Sequence, residues 1–341
     1  QFYGRDSRYV IAGGGNTSYK NADRIWVKAS GASLATITEE GFAVLDRTKL
    51  RPMSEKKYSD DVARREEEVK NDLAAATLTK DKRPSVETSM HNIIEYAYVV
   101  HLHPTLVNAL MCSQQAESGL KKLFGEKALY VEYTDPGYVL FKKVEEKIKA
   151  FRAAYNEEPH VIWLQNHGIF VAADTIEEIR NIYSDIFGTI EKSVQKSLPS
   201  DETLPSRDVE KVIPAVRMML SSNGLKTLKV RNNVLIEFFS ENVENRQLIA
   251  KPFTPDEIVY CKSNYLFFDS DSEETLLREA GEQIPIFIEK YGYHPHVLLI
   301  KGIGLVAAGL NARQCETTLN VFEDAMKVAY LSQSFGGAHP M

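Results

Sequence analysis

His101 and His103 stand two residues apart at the end of the β-branched run Val99-Val100-His101-Leu102-His103-Pro104. Alternate side chains of a strand share one face, so the pair can offer two imidazole nitrogens to the same cation. A lone pair of this kind could equally satisfy hydrogen bonds in a core. What strengthens the metal reading is Gln165-Asn166-His167-Gly168, a third histidine at an expected strand-to-strand turn where glycine permits close backbone approach. Three neutral imidazoles with one open position describe a catalytic rather than a structural zinc site. Glu87 precedes His101 by fourteen residues and heads the helical pattern 87–95. Its carboxylate could complete a metal shell or take a proton from bound substrate, although an acid there also suits the helix dipole. His91 follows at helical spacing four, able to support the site from behind or simply to be a half-buried histidine.

Two further segments suit anions. Gly13-Gly14-Gly15-Asn16-Thr17-Ser18 follows an expected short strand, Tyr9 to Ala12, and its glycines would let backbone N–H groups face a phosphate or carboxylate. Lys28-Ala29-Ser30-Gly31-Ala32-Ser33 ends the next strand with hydroxyls and another glycine, and Ser85 adds a third candidate. No GxGxxG with its downstream acid and no GxxxxGK[ST] occurs, so Rossmann and P-loop readings lack support.

These residues need elements to hold them. Arg24 to Lys28, Phe42 to Asp46, Tyr96 to Leu102, Leu129 to Tyr133 and Val161 to Gln165 read as strands, between longer helical patterns such as Glu55 to Leu78, Thr105 to Gln114 and Thr175 to Lys192. That alternation predicts an α/β class. The Pro-, Ser- and acid-rich stretch SLPSDETLPSRD, residues 197–208, reads as a linker, giving domains at 1–200 and 207–341. An echo crosses it: Pro159-His160-Val161 leads into Gly168-Ile169-Phe170-Val171-Ala172-Ala173, and 136 residues later Pro295-His296-Val297 leads into Gly304-Leu305-Val306-Ala307-Ala308-Gly309. The second portion is thus readable as a degenerate repeat, with Ile303 in the place of His167.

With 341 residues the chain can build two cores. A formal charge of -6 supplies no basic footprint for nucleic acid. Cys112, Cys261 and Cys315 are far apart, which suggests neither a disulfide framework nor a thiolate metal site and suits a reducing compartment. There is no long apolar run for a membrane span, and Gln1-Phe2-Tyr3-Gly4-Arg5 is not a basic-then-apolar leader, so a cytoplasmic location is the expectation.

In order along the chain, GGGNTSYK, WVKASG, PSVET, HLHP and QNHG resemble the class II aldolase/adducin superfamily. WVKASGASLATITEEGFAVLD and PSVETSMH are most similar to the aldolase half of bifunctional rhamnulose-1-phosphate aldolase/alcohol dehydrogenase proteins. The resemblance implies a three-layer α/β/α fold around a largely antiparallel sheet, a homo-oligomer, usually a tetramer, and a sugar-phosphate substrate. It implies Zn2+ or another divalent cation on His101, His103 and His167, and Glu87 as catalytic acid/base. Asn16, Ser30, Gly31 and Ser85 would hold the phosphate, and Tyr133 would work at a neighbouring subunit's site. Val86 departs from the second serine of simple fuculose-phosphate aldolases. The implied reaction cleaves a ketose 1-phosphate, such as rhamnulose or fuculose 1-phosphate, to dihydroxyacetone phosphate and an aldehyde such as lactaldehyde, through a metal-stabilised enediolate. Sugar-phosphate 4-epimerases use the same ligands, and adducin-like members keep the fold for association only.

Overall fold

The computed structural model describes residues 1–199, 201–222, 224–270 and 272–341, which form two compact units: 1–111 with 115–194, and 112–114 with 195–341. The first unit is built on strands β1 (Asn16–Lys20), β2 (Arg24–Lys28), β3 (Phe42–Asp46), β4 (Tyr98–Leu102), β5 (Leu129–Val131), β6 (Val161–Leu164) and β7 (Gly168–Ala173). Their order across the sheet is β3-β2-β1-β4-β7-β6-β5; the β5–β6 pair is parallel and the others are antiparallel. One face, carrying Val99, Ile162, Leu164, Phe170 and Ala172, buries Met90 and Ile94 near the helix Thr88–Ile93, and Leu140, Phe141, Val144 and Ile148 from Tyr138–Tyr155. On the other face Tyr183, fully buried on the helix Ile176–Glu191, donates its hydroxyl to Val100 O, and Phe124 packs on Trp163. Helices on both faces of a mostly antiparallel sheet make three layers, as expected.

Most elements lie within a residue or two of their expected bounds; three do not. The helix expected over Thr105 to Gln114 ends at Met111. Tyr9 to Ala12 is a turn rather than a strand, because Ala12 takes a left-handed φ of 55° and the extended chain starts only at Asn16. The pattern read as one helix from Glu55 yields the helix Val62–Ala76, since the Asp61 side chain accepts from Arg64 N and starts the helix there.

The second unit carries β8 (Thr227–Arg231), β9 (Leu266–Phe268), β10 (Val297–Ile300) and β11 (Gly304–Gly309) in the order β8-β11-β10-β9. The helices Val209–Leu220 and Glu273–Tyr291 cover one face through Val212, Val216, Leu276, Ile284 and Phe287. The sequence echo is also geometric. β10–β11 is antiparallel with β9 parallel at its flank, as β6–β7 has β5, and β8 pairs with β11 as β4 does with β7. Residues 166 and 302, in the two turns, are both left-handed, Asn166 at φ 54° and Gly302 at φ 79°. In that register Val230, Asn232 and Ile303 stand where the first unit has His101, His103 and His167. Cys112, Cys261 and Cys315 are buried and form no disulfide. No described helix is long and apolar enough to cross a membrane.

Candidate metal centre

His101 lies on β4 at the centre of the sheet, opposite Asn16 of β1 on one side and Phe170 of β7 on the other. His103 follows one residue beyond the strand, before Pro104 and the helix Thr105–Met111. His167 occupies the β6–β7 turn, whose backbone is tied by Asn166 N to Met111 O and by Asn108 Nδ2 to His167 O. Gly168 is obligatory there: a Cβ would lie 2.4 Å from Leu102 O and 2.7 Å from His103 Cδ2. Sheet register and this close approach bring together imidazoles that are 64 to 66 residues apart in the chain.

Glu87, His101, His103 and His167 each contribute one donor atom to a group lying within 4.8 Å of one another. His103 Nε2 lies 2.9 Å from His101 Nε2, while Glu87 Oε1 lies 3.2 Å from His101 Nε2 and 3.6 Å from His167 Nε2. His101 Nδ1 is 3.0 Å from Ile169 O, and a carbonyl can only accept, so the ring carries its proton on Nδ1 and turns an Nε2 lone pair inward. Lone pairs and a carboxylate facing one another in a buried space repel, and a cation removes that repulsion. Tetrahedral zinc with imidazole ligands sets its donors roughly 3.3 Å apart, close to the spacing found, so the residues fit a divalent ion.

The Glu87 carboxylate sits at the N-cap position of Thr88–Ile93 but makes no cap hydrogen bond. It is aimed at the imidazoles instead, and Asn16 Nδ2 approaches its Oε2 at 3.5 Å. Burial opposes its charge, yet His101 and His167, when protonated beside it, hold the carboxyl well below the usual carboxylate range, and a bound cation would act in the same direction. Burial also pushes His167 down to about 4, against the pull of Glu87, and so favours the neutral ring, the form able to ligate. His91, fully buried, has Nδ1 2.8 Å from Ser18 Oγ, and its ring meets Phe170, which in turn stacks on His101 at 4.0 Å. Burial drives His91 down to about 3.

Ser85 Oγ accepts from Glu87 N at 3.2 Å, and Ser30 N donates to Arg83 O at 2.8 Å, so both hydroxyls stand on loops joined to the glutamate. Gly31 beside Ser30 is left-handed, φ 86°, with open space around it. Tyr133 is outside the cluster: its hydroxyl donates to Asp135 Oδ1 at 2.9 Å, and its backbone N–H donates to the side chain of Gln165, two residues before His167. Burial and Asp135 raise its pKa. Sequence reasoning passed over Ser18 and Arg83. Ser18 had a signal, since Asn16, Ser18 and Lys20 put three polar side chains on the buried face of β1.

Among proteins of known sequence, the chain is 23% identical over 367 residues to the uncharacterized oxidoreductase YuxG of Bacillus subtilis, covering 95% of this chain and 52% of that protein. The chain therefore spans about half the length of that relative. It is 27% identical over 172 residues to an L-fuculose phosphate aldolase of Methanocaldococcus jannaschii, across 48% of this chain and 75% of the relative. Among solved structures, the N-terminal class II aldolase domain of a conserved protein from Thermoplasma acidophilum is similar at 25% identity and a TM-score of 0.48, over 56% of this chain and 88% of that one. The family model of the class II aldolase and adducin N-terminal domain matches residues 3–184, more than half of the chain and all of the donor cluster, and the chain belongs to that family.

Proposed function

We propose that the chain is a metal-dependent aldolase that cleaves a ketose 1-phosphate, of the rhamnulose or fuculose kind, to dihydroxyacetone phosphate and a short aldehyde. The observation that carries this reading is the convergence of three imidazoles and one carboxylate on a common centre in a chain of this family. His101, His103 and His167 would hold a divalent ion, zinc by the chemistry of the donor set. When bound, such an ion supplies Lewis-acid stabilisation of the negative charge that develops on substrate oxygens.

The rest of the chemistry falls to this chain's own side chains. Glu87, kept ionised by its neighbours, is the base: an Oε atom takes the proton from a substrate carbon in the synthetic direction and returns it in cleavage. Asn16, against Oε2, fixes that carboxylate. Tyr133, whose phenol keeps its proton, is the acid for the aldehyde oxygen in the synthetic direction and the group through which the C4 hydroxyl gives up its proton in cleavage, acting at the site of a neighbouring copy in a homo-oligomer. Ser30, Gly31, Ser85 and Asn16 receive the phosphate. No lysine Schiff base is required. Converging donors argue against an adducin-like, purely associative role, whereas a 4-epimerase would use the same set.

Metal analysis of the purified chain, followed by a coupled assay for dihydroxyacetone phosphate over rhamnulose, fuculose and ribulose phosphates, decides the matter. Stoichiometric metal and triose phosphate release are expected. An epimer accumulating without triose phosphate makes the protein an epimerase, and absence of both metal and turnover ends the enzymatic reading.

A further inference from the structure

A cavity of about 930 Å³ in the first unit opens beside Ser30. Its wall includes Lys70, Lys80, Lys82 and Arg83 against only two acids, Glu66 and Asp81. Glu66 is engaged by Tyr138 N, and Lys82 is turned toward Glu40 O, whereas Arg83 reaches the serine itself. Arg83 Nη2 lies 3.2 Å from Ser30 Oγ and donates to it. Having accepted from a guanidinium, that hydroxyl is polarised and must direct its own proton to another acceptor.

The backbone makes this pairing a fixed feature. Ser30 N donates to Arg83 O, Ala29 bridges Pro84, and the buried Pro84 confines the residue before it to an extended conformation. Two residues on, Ser85 supplies the hydroxyl that abuts Glu87 N, and Val86, 65% exposed, faces the same cavity without a hydrogen-bonding group. The loop thus lacks a hydroxyl at Val86 and has a guanidinium three residues earlier.

We infer that Arg83 is an anion-binding residue of the substrate site, joining Ser30 and Ser85 around the phosphate and selecting phosphorylated over neutral sugars. The planar fork suits a phosphate bidentately, and its charge replaces by Coulomb attraction what Val86 cannot give by hydrogen bonding. This inference rests on the sugar-phosphate reading above, but can fail separately from it.

The test measures binding of inorganic phosphate to the intact chain by titration calorimetry, with and without chelator, in the wild type, Arg83→Gln, Arg83→Lys and Val86→Ser. Glutamine retains a donor for Ser30 and removes the charge. Arg83→Gln should weaken phosphate binding roughly ten- to a hundredfold, with chelator present as well, at unchanged melting temperature. Arg83→Lys should recover part of the loss, and Val86→Ser should tighten binding. For any ketose phosphate the chain cleaves, Arg83→Gln should raise KM far more than it lowers kcat, and leave the unphosphorylated ketose unaffected. Equal phosphate affinity in wild type and Arg83→Gln overturns the inference, even if triose phosphate is released. Phosphate binding that depends on Arg83, without triose phosphate release, supports it while the aldolase reading fails.

Discussion

His101 illustrates how one hydrogen bond sets a residue's chemistry. Its Nδ1 proton is committed to Ile169 O, so only Nε2 can ligate, and the strand fixes where Nε2 points. His103 has no such strand to confine it, lying beyond β4, but Gly168 packs against its ring. Glu87 differs in kind, being 17% exposed on its side chain and placed by a helix start rather than by the sheet. Removing a proposed ligand and removing the proposed base should therefore separate. His103→Ala is expected to lose stoichiometric metal and turnover together. Glu87→Gln is expected to keep most of the metal while kcat falls by roughly a hundredfold to ten-thousandfold, the usual worth of a positioned general base. Metal content by mass spectrometry alongside kcat checks both. Unchanged turnover in Glu87→Gln would remove the carboxylate from the mechanism, and full metal in His103→Ala would remove the ring from the centre.

At the scale of elements the chain contains the same strand-turn-strand twice, with only one copy bearing donors. Both turns are closed by a glycine against the neighbouring strand: a Cβ on Gly168 would meet Leu102 O at 2.4 Å, and one on Gly304 would meet Arg231 O at 2.4 Å. Either Gly168→Ala or Gly304→Ala must force two strands apart and should cost about 1–3 kcal/mol, measurable by denaturant unfolding. Only Gly168→Ala displaces the ends of β4 and β7 that carry His103 and His167, so it alone should weaken metal binding. Metal loss of equal size from Gly304→Ala would contradict this division. Sequence legibility follows the same line. The histidine on the strand was readable because alternation is local, and His167 because its Asn-His-Gly context demands a tight turn. Ser18 beneath His91, and Arg83 against Ser30, were not, since each pairing depends on two segments more than fifty residues apart meeting in a particular register. The false strand at Tyr9 to Ala12 has another cause: apolar composition cannot reveal that Ala12 turns left-handed.

For the whole molecule, the two units bury titratable groups of opposite kinds, and stability should answer pH accordingly. In the first, burial holds His91 at about 3 and His167 at about 4, against an ordinary 6.5. Between those values the unfolded chain binds protons that the folded chain refuses, so the contribution of these histidines is complete above about pH 6.5 and falls on acidification, while Lys20, pushed down to about 7 by burial, lets the first unit's stability rise further above that. The slope is at most about 1.4 kcal/mol per pH unit for each histidine. In the second unit Glu257, buried at the start of the helix Pro255–Cys261, accepts from Phe253 N at 2.8 Å, and burial raises it to about 8 from 4.5. Here the folded chain keeps the proton, so this contribution is complete below about pH 4.5 and is lost as pH climbs through 8. His294 and His296, lowered by burial, work against Glu257 below pH 6.5, but both retain more solvent than His91 or His167. Hydrogen exchange of the chelated chain, corrected for intrinsic rates, should find β4 and β7 losing protection between about pH 7 and 5, with β10 and β11 losing less or gaining. Glu257→Gln should abolish the part of the second unit's response that favours acid and leave the slope of the first untouched. Parallel acid slopes in the two units, or a second-unit response indifferent to Glu257→Gln, would mean that these buried groups do not govern stability.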